Sequence, residues 1–124
     1  MDISSIKANA RPVEILHPHT EEKIGLRITV LPESDPKVKK VQREITDRQL
    51  GKRKLKLTAA QLEAQSFELL VAATDGWDWY GDADFEGEKP EFTEENVRKV
   101  YKKVVFIRDQ VKAEFDDRES FYEG

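Results

Sequence analysis

Four residues between positions 82 and 87 have the types and spacing with which a calcium-binding loop begins. Asp82, Asp84 and Glu86 supply carboxylates at alternate positions, and Gly87 follows where an EF-hand loop turns sharply. The rest of such a loop is missing, because its twelfth position is Thr93 where a bidentate glutamate is required. We therefore expect an ordinary turn at this segment and no metal site.

Other residue types that carry chemistry are sparse and isolated. His17 and His19 are the only histidines, and the chain has no cysteine that could complete a zinc site with them. The serines lack the sequence context of a nucleophile, and no glycine-rich loop is present that would hold a phosphate. The sequence therefore predicts no catalytic residue, no cofactor and a protein that is not an enzyme.

Aromatic residues are concentrated in an acidic segment that follows position 74. Trp77, Trp79 and Tyr80 lie close together there, and alternation in an extended chain places the two tryptophans on the same side. Aromatic side chains of this kind fill a core or anchor a partner at an interface. We expect the tryptophan side to be buried, with Asp78 and Tyr80 facing solvent or a partner, and we keep all three aromatic residues as candidate partner contacts.

Charge is distributed unevenly along the chain, although the net charge is only −4. Residues 37–56 hold nine basic residues against two acidic ones, whereas residues 75–124 hold fifteen acidic residues against eight basic ones. Such blocks attract each other within a fold, between subunits or toward charged partners, or they are simply solvated helix faces. Lys39, Lys40 and Arg43 are the candidate partner contacts in the basic block.

Length and composition favour one domain that is neither exported nor inserted in a membrane. A chain of 124 residues suits a single modest core, so we expect one domain over residues 1–124. The N-terminus lacks the basic start and apolar run of a signal peptide, and no segment approaches the roughly 20 apolar residues of a membrane helix. The lack of cysteine fits a reducing cytoplasm.

The elements that position these residues follow from periodicity and capping signals. Residues 13–31 hold two β-branched, apolar runs around a turn and predict an antiparallel hairpin. Residues 35–120 form the helical part, in which Asp35, Thr58 and Thr93 each have the type and context of a helix N-cap. The predicted fold is α+β and predominantly helical, with the N-terminal β-hairpin packed on three or four helices.

The sequence marks the ends of the second helix, but it does not decide how the last helical segment is divided. The second helix is framed by a hydrophobic staple of Leu57 and Leu62, and it is expected to be the central core helix that stops at Gly76. Residues 94–118 follow one apolar stripe, but a dense apolar run at residues 104–107 leaves open whether they form one helix or two.

The order of these segments resembles the tail assembly chaperone family of long non-contractile-tailed bacteriophages (siphophages) and related prophages. The similar segments, which cover most of the chain, are residues 15–30, 57–77, 85–101 and 106–124. The turn and helix start that precede the family's third helix are matched here by Gly87, Pro90, Phe92, Thr93, Glu95 and Asn96. The chain departs from the family at Val105 and Phe106, where family members commonly have Pro-Trp.

The resemblance implies a non-enzymatic chaperone that binds the tape measure protein and keeps it soluble until the tail tube polymerises around it. It also implies a place in the cytoplasm of the bacterial host, absence from the mature virion, and contact with the tail tube protein through a longer, frameshifted form. Weak homo-oligomers would help many copies to occupy one rod. The alternative from the residues is a small module that binds nucleic acid or protein through the basic helix 37–56.

Overall fold

The described part of the chain combines a three-stranded antiparallel sheet with four α-helices, so the predicted α+β class is confirmed. The structure is a computed structural model that describes residues 3, 7–50, 58–117, 121 and 122, with the side chains of residues 49 and 50 left out. The elements in chain order are β1 (Arg11–Leu16), β2 (Lys23–Val30), α1 (Pro36–Leu50), α2 (Ala59–Ala73), β3 (Thr74–Trp79), α3 (Glu94–Lys103) and α4 (Val105–Asp116).

Strands β1 and β2 pair in the antiparallel sense that the sequence predicts. Val13 lies opposite Ile28 on the buried side, and Glu14 lies opposite Arg27 on the outer side. The register shifts between Glu14 and Leu16, near the end of the pairing. There the side chain of Gln110, from α4, bonds both peptide groups of Leu16, accepting from its N–H at 2.8 Å and donating to its carbonyl at 2.7 Å.

The third strand is absent from the sequence prediction, in which the chain after α2 is a connector. Instead α2 passes directly into β3 at Thr74, and β3 pairs with β2 to give the strand order β1-β2-β3. Gly25 allows the chain beyond β3 to approach β2, because a Cβ atom there would lie 2.5 Å from the carbonyl oxygen of Tyr80. Gly25 also has a φ of 97°, a backbone conformation that favours glycine.

Apolar side chains from the sheet and from the helices form a buried cluster. It includes Ile15 and Ile28 from the strands, Leu70 from α2 and Val111 from α4. Tyr101, another member, is fully buried, and its hydroxyl lies 2.6 Å from that of Thr74. The cluster is the main apolar contact among the described elements, so burial at these positions stabilises the fold.

The α3–α4 region forms two helices, which answers the question that the apolar stripe left open. The helices meet at Val104, whose φ of −114° and ψ of 83° are not helical. No side chain caps the N-terminus of α4. The apolar run at residues 104–107 therefore marks a bend, even though the chain has Val105 and Phe106 where the resembling family commonly has Pro-Trp.

Helix α2 begins where its capping signal predicts but is less buried than expected. Thr58 and Gln61 form the reciprocal hydrogen bonds of a capping box. Full burial is confined to the last turn, residues 70–73, while Leu62 is 52% exposed, so α2 is not a core helix along its whole length. Leu57, the other half of the predicted staple, lies outside the described residues. No helix in the described part is long and apolar enough to cross a membrane.

Candidate partner-binding surfaces

The two tryptophans of β3 lie on the core side of the sheet. Trp77 is opposite Ile28 and Trp79 is opposite Leu26, so both point to the same side, as alternation predicts. Both are partly buried against the apolar cluster. The rings meet edge to face at 5.6 Å, and Phe92 adds a third ring 5.7 Å from Trp77. This arrangement ties the segment before α3 to the sheet.

Tyr80 lies on the outer side of the sheet, in a polar network with Glu14 and Arg27. Its hydroxyl donates to Glu14 at 2.6 Å, and Arg27 both pairs with Glu14 at 3.2 Å and lies over the Tyr80 ring at 5.3 Å. The hydrogen bond to the Glu14 carboxylate raises the pKa of Tyr80. Tyr80 is therefore separated from the tryptophans and already has partners within the fold.

The segment that resembles the start of a calcium loop forms a turn held by a lysine and an ion pair. Lys89 donates to the carbonyl oxygens of Gly81 and Ala83, at 3.1 and 2.9 Å. Glu86 pairs with Lys103, which lowers the pKa of the Glu86 carboxyl. Within the described chain, no group of three or more potential ligand side chains could hold a metal ion.

The histidine loop has a structural role of its own. The Nδ1 atom of His17 accepts from the backbone N–H groups of His19 and Thr20, at 3.1 and 3.2 Å. Glu21, in the same loop, has a φ of 61°, which a turn requires and which a non-glycine residue seldom adopts. His17 therefore stabilises the β1–β2 turn.

The basic residues of α1 lie together on its solvent side. Val38 and Ile45 are buried, which turns Lys39, Lys40 and Arg43 outward. None of the three cations has an ion pair with another described residue. The structure brings these three candidate contacts together, on an element separate from β3 and Tyr80. The end of the predicted basic helix, residues 51–56, lies outside the described residues.

Two depressions flank the contact between α2 and α4, and the sequence prediction does not include them. The first has a volume of about 290 Å3, and its apolar lining comes from Leu62, Leu69, Leu70 and Phe115. The second, of about 230 Å3, is lined in part by Phe67. Charged residues surround both, of which Lys112 pairs with Asp116 at 2.9 Å.

The sequence contained a signal for the first depression. Leu62 and Leu69 are seven residues apart and share one face of α2, but the polar residues Gln65 and Ser66 lie between them on that face. An apolar stripe interrupted by polar side chains is typical of a helix face that is only partly covered. The expectation of a continuous core helix overlooked this interruption.

A further depression of about 200 Å3 lies beyond Phe115, between the start of α1 and the C-terminal residues. Pro32 and Phe121 are buried in its wall, Glu33 and Lys39 both line it, and Tyr122 is 55% exposed beside it. Phe115 lines both this depression and the first one at α2. The two apolar depressions are therefore neighbours.

The chain matches no protein-family model, no curated protein and no solved structure. Its function must therefore be inferred from these surfaces together with the resemblance of its sequence segments. The surfaces divide into an aromatic cluster that supports the fold, a solvated basic helix face, and apolar depressions beside α2 and α4.

Proposed function

We propose that this protein is a non-enzymatic tail assembly chaperone of a long, non-contractile-tailed phage, and that it binds the tape measure protein. The observation that best supports this proposal is the exposed apolar face of α2, where Leu62 stands 52% exposed beside a depression of about 290 Å3. An exposed apolar depression with charges around it fits the apolar stripe of a helix. A tape measure is a long helical rod whose apolar stripe needs such cover before the tube forms.

The architecture is well suited to a holding role. In this proposal the N-terminal hairpin packs on the helices as a platform, and the predominantly helical part presents α2 and the second half of α4 to the partner. Binding requires a broad, partly apolar surface with charged edges, and it needs no catalytic group. Release follows when growing tube subunits compete for the same stripe of the tape measure protein.

The cellular setting follows from the same proposal. The chaperone acts in the cytoplasm of the bacterial host and is absent from the mature virion, because the tube replaces it. A longer, frameshifted form recruits the tail tube protein, and weak homo-oligomers allow neighbouring copies to hold one rod together.

Copurification with the tape measure protein of the same phage tests the proposal. Leu62→Asp places a charge on the apolar face of α2, and we expect it to lower recovery of the tape measure protein by about tenfold. Val105→Asp is the matched control, since Val105 is similarly exposed at 45% but lies at the start of α4. Equal recovery with both variants, or no complex with the unmodified chain, would contradict the proposal.

The basic face of α1 supports a second candidate, a module that binds nucleic acid. Lys39, Lys40 and Arg43 are exposed cations without ion pairs in the described part of the chain, so they are available to phosphates. Nucleic-acid binding predicts an affinity that falls steeply with salt, whereas an apolar helix interface depends on salt only weakly. Salt titration of each complex therefore distinguishes the two candidates.

A further inference from the structure

Strand β3 lies at one edge of the sheet, and its outer backbone groups are free within the described part of the chain. The Tyr80 N–H donates to the Gly25 carbonyl oxygen at 2.8 Å across the β2–β3 pair. Residues of an antiparallel pair alternately point their backbone groups toward and away from the partner strand, so those of Trp77 and Trp79 face outward. No described residue forms a hydrogen bond with these groups. The edge of β3 therefore offers donors and acceptors to a further strand.

The opposite edge of the sheet, at β1, is poorly suited to a further strand. Pro12 has no N–H group to donate, and the side chain of Gln110 already bonds both peptide groups of Leu16. Arg11, also on β1, lies 3.9 Å from the carboxylate of Glu114 in α4. Strand β3 contains no proline, and no described side chain bonds its outer backbone groups. A ligand that extends the sheet therefore fits β3 better than β1.

The side chains beside the free groups of β3 are acidic. Asp75 and Asp78 are exposed, and Asp75 has no ion pair with another described residue. Asp78 lies 4.0 Å from Arg27 of β2, but Arg27 also pairs with Glu14 at 3.2 Å. Two carboxylates thus share one guanidinium on the outer side of the sheet. The β3 edge therefore carries unbalanced negative charge.

The segment that follows β3 extends this charge. Residues 80–91 hold five acidic residues, all of them exposed, and one basic residue, Lys89. Lys103 of α3 pairs with Glu86, and Lys99 also lowers the pKa of that carboxyl. The other four acids have no ion pair with another described residue. This side of the molecule therefore attracts a cationic ligand and repels a polyanion.

The opposite face of the same edge is apolar. Trp77 and Trp79 are partly buried against the apolar cluster, and Phe92, whose ring is 5.7 Å from that of Trp77, is 43% exposed. In an antiparallel addition, the residues that bond Trp77 and Trp79 lie directly opposite them, so their side chains point to the tryptophan side. The residue opposite Asp78 points to the outer side. Strand β3 therefore calls for apolar residues toward Phe92 and basic residues toward Asp78.

We propose that β3 extends its sheet by pairing with an extended peptide in which apolar residues alternate with lysine or arginine. The peptide runs antiparallel to β3, its apolar residues exchange backbone hydrogen bonds with Trp77 and Trp79, and its basic residues face Asp78. A second copy of the chain is a poorer occupant, because pairing β3 with itself brings together Asp75 and Asp78 of both copies and adds no base. This pairing is independent of the proposed function, which uses α2 and α4.

The test uses the full chain and fluorescent peptides of designed sequence, with binding followed by anisotropy. The first peptide alternates valine with lysine, and the second has glutamate in place of lysine. The third and fourth repeat the first but carry N-methyl groups on every valine or on every lysine. N-methylation removes amide hydrogens without changing charge, and only the valine amides face β3 in the proposed register. We expect the first and the lysine-methylated peptides to bind at least about tenfold more tightly than the other two.

Amide hydrogen exchange locates the peptide on the protein. The amides of Trp77 and Trp79 should exchange at least about tenfold more slowly when the first peptide is bound, because they gain hydrogen bonds. The amides of Gly76 and Asp78 point toward β2 and serve as internal controls, since their exchange should change less.

A charge reversal on β3 tests the contact with lysine. Asp78→Lys should weaken binding of the first peptide about fivefold and strengthen binding of the glutamate peptide. Asp47→Lys makes the same change in net charge at an exposed position of α1, and it should leave both affinities unchanged. Circular dichroism confirms that each variant is folded.

Any of four results would overturn the inference. The first two are binding of the valine-methylated peptide as tight as that of the lysine-methylated one, and binding of the glutamate peptide as tight as that of the first. The third is exchange at Trp77 and Trp79 that the first peptide does not slow. The fourth is protection of these amides in the protein alone that rises with protein concentration, which would assign the edge to a second copy.

Discussion

The buried pair of Thr74 and Tyr101 gives the sharpest prediction about stability. The Thr74 hydroxyl lies 2.8 Å from the carbonyl oxygen of Leu70, to which it donates, and 2.6 Å from the Tyr101 hydroxyl. A threonine hydroxyl has one hydrogen, so Tyr101 must donate to Thr74. The direction of this bond makes the two hydroxyls unequal, because only Thr74 serves as both donor and acceptor.

Different losses of stability follow from removing each hydroxyl. Thr74→Val leaves the hydroxyl hydrogen of fully buried Tyr101 without an acceptor, and we expect the free energy of unfolding to fall by about 2 kcal/mol. Tyr101→Phe removes the donor itself and should cost about 1 kcal/mol. The double variant leaves no hydroxyl hydrogen without an acceptor. Its loss of stability should therefore be about 1 kcal/mol smaller than the sum of the losses in the two single variants.

Urea denaturation of the four proteins measures this coupling, and pH provides an independent check. Burial raises the pKa of Tyr101, so the unfolded chain releases this proton near pH 10 while the folded protein retains it. The stability that Tyr101 contributes is therefore complete below about pH 10 and declines above it, by up to about 1.4 kcal/mol per pH unit. The Tyr101→Phe variant lacks this decline, so the difference in free energy of unfolding between it and the unmodified protein should shrink at high pH.

Two outcomes would refute this reasoning. Additive losses in the double variant would show that the hydroxyls are not coupled. A Tyr101→Phe deficit that stays constant from about pH 9 to about pH 11 would show that the buried hydroxyl retains its proton no more strongly than in the unfolded chain.

Three further predictions concern the backbone, an ion pair and a helix cap. Gly25→Ala should destabilise the protein by about 2 kcal/mol or more in thermal melts, because Gly25 has a positive φ and the carbonyl of Tyr80 fills the space that the new Cβ atom would need. Gly76→Ala is the control, since a Cβ atom there meets no atom within 4 Å, and it should be nearly neutral. Hydrogen bonds from Arg98, at 2.6 and 2.8 Å, lower the pKa of Glu68. In this partly exposed pair, changing Glu68→Gln should cost about 0.5–1 kcal/mol at neutral pH. The cost should disappear as pH falls below the ordinary glutamate pKa and through the lowered pKa of Glu68, and a constant cost would contradict the ion-pair role. Thr58→Ala should cost about 1 kcal/mol and speed amide exchange in the first turn of α2, and unchanged exchange would exclude a role for the cap.

The features that could be predicted from sequence are those set by neighbours along the chain. Thr58 and Thr93 cap α2 and α3 as expected, because an N-cap needs only a hydroxyl and an N–H group three residues later. The alternating apolar residues of β2 likewise identify a strand with one buried side. Local chemistry determines these elements, so a short window of sequence is sufficient.

Features that depend on distant residues were missed. Strand β3 has an aspartate and a glycine near its start, Asp75 and Gly76, which by local propensity indicate a turn. It is a strand because the edge of β2 pairs with it and because Trp77 and Trp79 reach the apolar cluster. Pairing across the fold thus overrides the local preference.

The candidate contacts were predicted only in part for the same reason. Lys39, Lys40 and Arg43 could be grouped from helical periodicity, whereas the separation of Tyr80 from the tryptophans becomes clear only in the sheet. The polar Gln65 and Ser66 beside Leu62 indicate a helix face that is only partly covered, but the depression itself depends on how α4 meets α2. Surfaces formed between elements therefore require the fold to be known.

The bonds from Gln110 to Leu16 also cover part of an edge of the sheet. An amide side chain that donates to and accepts from one residue of β1 occupies the place that a strand from another molecule would take. The edge of the sheet is thus closed at Leu16 by a helix rather than by a further strand. If α4 detaches during partial unfolding, that edge becomes open to pairing with a strand of another molecule, so the docking of α4 covers the edge as well as the core.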